Sequence, residues 1–217
     1  MGNSVRKVTT EEIRTYLADY QKNSNCSNVT IDNIRRNISS FFSWLEEEDY
    51  ILKSPMRRIH KIKTKTVVKN TISDESIEKL RDYCTEIRDL AIIDLLYSTG
   101  IRVGELVNLN IDDIDLEGRE CIVYGKGDKE RRVYFDAKAK VHLKEYIEGR
   151  KDENKALFVT LDAPYDRLKI SGVEIRLRQL GRKLDLEKIH PHKFRRTMAT
   201  RAIDKGMPIE QVQKILG

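Results

Sequence analysis

Apolar residues recur along this chain in runs of helical spacing, separated by short polar or glycine-bearing breaks. Thr9 and Glu12 stand three apart, as in a capping box, and Ile13, Leu17 and Tyr20 follow on one side, which predicts a helix over about 10–21. Beyond the polar NSNCSN loop, Ile31, Ile34, Ile38, Phe41, Phe42 and Leu45 run as one apolar stripe to Trp44 and predict a longer helix. Ser54-Pro55 starts a further turn, with proline where a helix has no use for its N–H. A new unit opens near residue 71, where Ser73 caps, Asp74 and Glu75 are first-turn acids, and Ile77 and Leu80 face one way. Leu90–Leu96 is apolar nearly all round, interrupted only by Asp94, and predicts a helix buried in a core and stopped near Gly100. CIVY (121–124) and RRVYF (131–135), parted by GKGDKE, predict a β-hairpin. Further on come a helix over about 137–149, a strand at LFVT (157–160), and a second capping box, Ser171 with Glu174, opening a helix striped by Val173, Leu177, Leu180 and Leu184. HPHKFRRTMATR (190–201) reads as a helix, and PIEQVQKIL as another, with Pro208 at its start and Ile209, Val212, Ile215 and Leu216 on one side. The expected fold class is mainly α with a small antiparallel β-sheet (α+β), in two domains, 1–62 and 71–217, joined by a basic linker over 63–70.

Composition narrows the setting. The 217 residues suffice for two cores, and 39% apolar with 35% charged residues fits an ordinary globular protein. No run of about 20 apolar residues is present to span a bilayer, and MGNSVRKVTT lacks the apolar centre of a signal peptide, so a cytoplasmic location, in the bacterial cytoplasm or nucleoid, and no membrane partner are expected. Cys26, Cys84 and Cys121 are far apart and read as reduced thiols without disulfide or zinc. The net charge of +6 is unevenly spread: residues 1–70 hold 13 Lys/Arg against 8 Asp/Glu, and residues 71–217 hold 28 against 27. Within the first part, KSPMRRIHKIKTKTVVK (53–69) has seven Lys/Arg and no acid, the footprint of a strap that binds a polyanion. Arg57, Arg58, Lys61, Lys63 and Lys65 are its expected phosphate contacts; a solvated linker is the plainer alternative.

Three places carry candidate chemistry. His192 and Arg195 stand i,i+3 on a helix, where one face grips one anion, although a lone H-x-x-R arises readily by chance. Arg102, in TGIRVGEL, lies just past a glycine stop with Glu105 three residues on; guanidinium held by carboxylate is one account, a structural ion pair the other. Lys126 sits between two glycines in the hairpin bend, as an exposed functional amine or as an ordinary loop-tip lysine. Asp112, Asp113 and Asp115 are the nearest approach to a carboxylate cluster, and a cap or solvated loop suits them better than a metal.

Taken together, TGIRVGELVNLNIDDID, GKGDKERRVYF, HPHKFRRTMATRAIDKG and PIEQVQKILG resemble the tyrosine recombinase (phage integrase) family, and residues 8–60 look like that family's helical core-binding domain. The resemblance implies site-specific recombination of double-stranded DNA, as the integrase of a mobile element, through a 3′-phosphotyrosyl intermediate. It implies Arg102 and Arg195 on the non-bridging oxygens of the scissile phosphate, Lys126 as proton donor to the departing 5′ oxygen, and His192 in proton transfer with the attacking hydroxyl. Glu105 would orient Arg102, and Arg196, where many relatives carry histidine, would contact the DNA backbone. Protein cations would take the part of a metal, so no cofactor is expected. A homo-tetramer on paired DNA sites, a monomer off DNA, and an accessory DNA-bending or excision factor complete the implied partners. The family pattern runs on past ILG to a second His or Trp and then the nucleophilic tyrosine, whereas none of the nine tyrosines here follows Tyr165. The expectation is a chain truncated at its C-terminus and inactive in cleavage, with a non-catalytic DNA-binding regulator or dominant-negative fragment as the alternative and a metal-dependent nuclease as a more distant one.

Overall fold

The computed structural model describes residues 5–64, 69–125 and 130–217. They fall into two compact units, Met1–Val68 and Lys69–Gly217.

The first unit is built on α1 (Thr10–Ser24) and α2 (Asn28–Glu47), followed by a 3-10 turn, Pro55–Arg58. The Thr9 hydroxyl accepts from the Glu12 N–H at 3.2 Å and the Glu12 carboxylate accepts from the Thr9 N–H at 2.8 Å, so two otherwise unpaired donors at the helix start are satisfied reciprocally. Ile13, Leu17, Ile31, Phe42, Leu45 and Met56 form the core. Three of the apolar positions in the expected stripes differ. Tyr20 is exposed, and on α2 the buried line runs through Phe42 and Leu45 while Phe41 and Trp44 lie a quarter-turn away, exposed and packed against each other with ring centroids 6.2 Å apart. The start of the basic strap is not free chain. Asp32, buried on α2, accepts from Arg35 Nε at 2.8 Å and from the Ile62 N–H at 3.0 Å, and Asn28 donates to the Lys63 carbonyl at 3.3 Å, which ties this extended segment to α2.

The second unit opens with α3 (Asp74–Tyr83), capped by Ser73, whose hydroxyl accepts from the Ser76 N–H at 3.2 Å. At its centre lies α4 (Ile87–Thr99), with Ala91, Ile93, Leu95 and Leu96 fully buried. Asp94, in the same helix, is equally buried and receives Arg81 Nε at 2.7 Å while lying 2.5 Å from His142 Nδ1. A charge in the middle of this buried helix is tolerated because both carboxylate oxygens have partners. Gly100, at φ +64°, ends α4 in the left-handed conformation that glycine adopts without strain. α5 (Val103–Asn108) follows, then a three-stranded antiparallel sheet in the order β1 (Ile114–Asp115), β2 (Glu120–Tyr124), β3 (Glu130–Tyr134), with Cys121 opposite Val133. The two-residue β1 carries too little alternation to be seen in the sequence. α6 (Ala137–Glu148), α7 (Ile170–Lys183), α8 (Pro191–Asp204) and α9 (Ile209–Leu216) complete the unit.

The segment LFVT is not a strand: Ala156 and Val159 make only isolated bridges, to Asn110 and Arg167. Leu157 donates to the Leu109 carbonyl and the Phe158 carbonyl accepts from Leu168, so neighbouring residues pair with different segments and no ladder propagates. All four residues from Ala156 to Val159 are buried, and it is this burial that wrote the strand-like run. Nor is Ser171 a cap. α7 starts at Ile170, after Lys169 and with no side-chain cap, two residues before a Ser171 cap would place it, and Ser171 is already helical. Leu168 packs so closely under the first turn that a Cβ on Gly172 would lie 2.9 Å from its Cδ1. On α9 only Val212 is buried, and Ile209 is exposed. All three cysteines are free, and burial pushes the thiols of Cys84 and Cys121 up to about 11 and about 12. Among the described residues no helix is long and apolar enough to cross a membrane.

Candidate active site

The left-handed turn at Gly100 leaves the chain extended at Arg102 (φ −72°, ψ 148°), the residue that precedes the first turn of α5. Glu105, one turn into α5, bends its carboxylate back. Oε2 accepts from the Arg102 N–H at 2.7 Å and Oε1 from Arg102 Nη1 at 3.0 Å. Arg102 thereby has its backbone and its side chain fixed by one acid, while its guanidinium stays partly open to solvent (42% exposed against 5% for Glu105).

Arg195 reaches the same place from α8. Its Nη1 donates to the Gly100 carbonyl at 2.9 Å and its Nη2 to the Leu216 carbonyl at 2.7 Å. The two arginines share an acceptor: the Gly217 carbonyl lies 2.6 Å from Arg102 Nη2 and 3.5 Å from Arg195 Nη2. Burial, and then the like charge of Arg102, hold Arg195 below its ordinary value, with Glu105 opposing and Arg131 adding to the repulsion. A guanidinium stays protonated at any working pH even so. A third guanidinium completes the cluster. Arg131 of β3 donates through Nη1 and Nη2 to both oxygens of Glu105, each at 2.7 Å, and through Nε to the Ile215 carbonyl at 3.0 Å. Burial pushes the Glu105 carboxyl up, but the hydrogen bonds from Arg131 and then from the Arg102 backbone and side chain outweigh it, and its net shift is downward. The side chains of the three arginines and Glu105 sum to a charge of +2, which suits the cluster to an anion with several acceptor oxygens.

His192 lies in the first turn of α8, one turn ahead of Arg195 and exposed; its ring centroid is 6.4 Å from that of His190. Burial, followed by the charges of His192, Arg196, Lys188 and Lys193, holds the His190 imidazole below its ordinary value. Two other cations of this stretch are turned elsewhere. Lys193 is buried and donates to Glu187 at 2.9 Å, and Arg196 donates to the Asn70 carbonyl at 2.9 Å. Arg201 lies over the Tyr97 ring, 4.6 Å from its centroid. Lys126 and Lys65 lie outside the described residues. Of the remaining strap cations, Arg58, Lys61 and Lys63 are exposed and Arg57 donates to Glu46 at 2.6 Å. The three aspartates have local duties: Asp113 accepts from the Asn110 N–H at 2.7 Å, and Asp115 from the N–H groups of Glu117 and Gly118, each at 2.9 Å, while Asp112 is exposed. No group of three His, Cys, Asp or Glu side chains able to hold a metal occurs among the described residues.

Arg131 is the residue that sequence reasoning passed over, because RRVYF was read only as a strand. The signal was there. Side chains alternate along a strand, so Arg131 shares the face of buried Val133, and an arginine aimed inward from β3 needs a carboxylate partner.

Comparison with known proteins gives a consistent result. The chain matches the model of the phage integrase family over residues 55–217 and that of the phage integrase N-terminal SAM-like domain over residues 2–52. It is 32% identical over 225 residues to tyrosine recombinase XerC of Oceanobacillus iheyensis, covering 98% of this chain and 73% of that one. To tyrosine recombinase XerC of Thermodesulfovibrio yellowstonii it is 34% identical over 204 residues, covering 88% and 68%. Among solved structures it is similar to XerA recombinase, with a TM-score of 0.64 at 27% identity over 99% of this chain and 76% of that one. It also shares its fold with XerH recombinase bound to a palindromic difH substrate, with a TM-score of 0.80 at 22% identity over 100% and 67%.

Proposed function

The chain belongs to the phage integrase family, the tyrosine recombinases, whose members break and rejoin DNA, and from that we propose that it acts on double-stranded DNA as the integrase of a mobile element. The observation that carries this reading is the meeting of Arg102 and Arg195 about one oxygen, the Gly217 carbonyl, in a cluster whose single acid is already taken by Arg102 and Arg131. Phosphoryl transfer builds charge on the non-bridging oxygens, and two guanidiniums fixed in advance stabilise that charge without reorganising.

On this reading Arg102 and Arg195 hold the scissile phosphate, and Glu105 fixes Arg102. His192, on the exposed first turn of α8, serves proton transfer at the attacking hydroxyl, and Lys126 delivers a proton to the departing 5′ oxygen, which an ammonium does more readily than a guanidinium. The attack itself, forming the 3′-phosphotyrosyl bond as the P–O bond to the 5′ oxygen breaks, is left to a tyrosine beyond those in these 217 residues, none of which follows Tyr165. Arg57, Arg58, Lys61, Lys63, Lys65 and Arg196 are assigned to the DNA backbone. A homo-tetramer on paired sites and an accessory DNA-bending factor belong to the same proposal.

The test uses a nicked duplex that traps a covalent adduct. A form extended past Gly217 to carry a tyrosine is expected to give a protein–DNA adduct resistant to denaturant and indifferent to EDTA, and the 217-residue chain to bind DNA without one. Arg102→Ala or Arg195→Ala in the extended form should lower the cleavage rate by about 10²–10³ and weaken binding only slightly. An extended form that binds but never gives an adduct favours a DNA-binding regulator, and nicking abolished by EDTA favours a metal-dependent nuclease.

A further inference from the structure

Each of the three nitrogens of Arg131 has a protein acceptor, Nε the Ile215 carbonyl and Nη1 and Nη2 the two oxygens of Glu105, which leaves two of its five N–H groups on a side chain that is 14% exposed. Arg102 differs. Its Nη1 and Nη2 each hold one partner, and 42% of its side chain faces solvent, against 14% for Arg131. The two guanidiniums that share Glu105 thus differ in setting, Arg131 turned inward with all three nitrogens engaged and Arg102 open to solvent with its Nε unengaged. Glu105 is itself 5% exposed, so its carboxylate relies on protein N–H groups: Arg102 reaches Oε2 through its backbone and Oε1 through Nη1, and Arg131 reaches both oxygens through the two Nη of its guanidinium. The remaining bond of Arg131 is to a carbonyl in the last turn of α9, a group that a helix end leaves without an internal partner. The next such carbonyl, Leu216, is held by Arg195.

We propose that Arg131 is a positioning residue of the pocket: by gripping Glu105 on one side and the last turn of α9 on the other, it fixes the direction of the Arg102 guanidinium relative to Arg195. The proposal rests on the pocket's being a phosphate site. Arg131 contributes geometry, not a hydrogen bond to the phosphate, and it acts only through Glu105 and α9. That separates it from a cation whose value is its charge, because lysine keeps the charge and loses the fork.

The experiment follows binding of inorganic phosphate to the 217-residue chain through the side-chain Nε–H signals of Arg102 and Arg195 in NMR spectra. Arg131→Lys is expected to weaken phosphate binding about tenfold, Arg131→Met to do no worse than about twice that again, and Arg131→Lys with Arg102→Ala to bind no more weakly than Arg102→Ala alone. Arg131→Lys binding phosphate as the parent does, or a double variant in which the two losses add, overturns the proposal. If the parent chain binds no phosphate at these arginines, the phosphate reading of the pocket fails, and the positioning role is judged by the Glu105 titration. In that case a Glu105 midpoint raised in Arg131→Lys, with a broadened Arg102 Nε–H signal, supports it, and unchanged values of both overturn it. Should Arg131→Met fail to fold, the lysine variant carries each comparison by itself.

Discussion

At the scale of single residues, Gly100 and Glu105 each serve two ends, and both can be tested without DNA. Gly100 ends α4 at φ +64°, and a Cβ there would lie 3.2 Å from Leu216 Cδ2 and 3.3 Å from Met198 Cβ. Gly100→Ala combines the left-handed penalty with crowding from two side chains and is expected to lower stability by about 1–3 kcal/mol, measured by urea unfolding. It should also disturb Arg195, whose Nη1 uses the Gly100 carbonyl. Glu105 gives a pH dependence of definite sign. Its folded-state value lies below the ordinary 4.5, so the stability it contributes is fully present above 4.5 and is lost as pH falls through the lower, folded-state value. The stability difference between the parent chain and Glu105→Gln should therefore be constant near neutrality and shrink as pH drops below 4.5, read from unfolding midpoints across that range. A difference that grows on acidification contradicts the assignment.

At the scale of elements, most helices were legible from where their apolar residues fall: α3 and α7 carry their stripes where the spacing predicts them, and α4 is buried nearly all round, as its apolar run predicts. The failures share a cause. Ser171 with Glu174 satisfies the local spacing of a capping box, but α7 already runs from Ile170, just after Leu168 is tied by its N–H to the Phe158 carbonyl, and the short motif does not mark the helix start. LFVT has the composition of a strand and the burial of a core segment, and pattern alone does not separate these. Phe41 and Trp44 look like core by residue type, and only angular position on α2 shows that they are not. The site divides in the same way. Arg102 with Glu105 is visible three residues apart, whereas the reach of Arg131 to Glu105 spans 26 residues and leaves no local spacing to find. Two substitutions test the capping result by urea unfolding: Ser73→Ala should cost about 1 kcal/mol through loss of a cap, and Ser171→Ala should stay within about 0.5 kcal/mol. Equal losses at the two positions would restore Ser171 as a cap. In α4, Asp94→Ala strips both Arg81 and His142 of a buried partner and is expected to cost about 3–5 kcal/mol by the same measurement.

At the scale of the whole chain, positive charge is concentrated where the strap leaves α2, and the residues there are not equivalent. Arg57 already has Glu46 as partner, while Arg58, Lys61 and Lys63 are exposed on a segment whose backbone is tied down by Asp32 and Asn28. Replacing Arg58, Lys61 and Lys63 together by glutamine should reduce the salt dependence of DNA binding by about 0.9 in log–log slope for each phosphate contact removed, and Arg57→Gln should do less. Fluorescence anisotropy over a range of salt concentrations gives the slope, and an unchanged value returns the segment to a plain connector.

The bonds that gather the three arginines join residues far apart along the chain: 84 positions from Arg131 to Ile215, 95 from Arg195 to Gly100, and 115 from Arg102 to Gly217. Closing such loops costs only about 0.6 kcal/mol more for each doubling of length, so the distance weighs little on stability. Its weight falls on timing. During synthesis Arg102 and Glu105 emerge long before α9, so the contacts that join the three arginines to the last turn of that helix form only after it has been made.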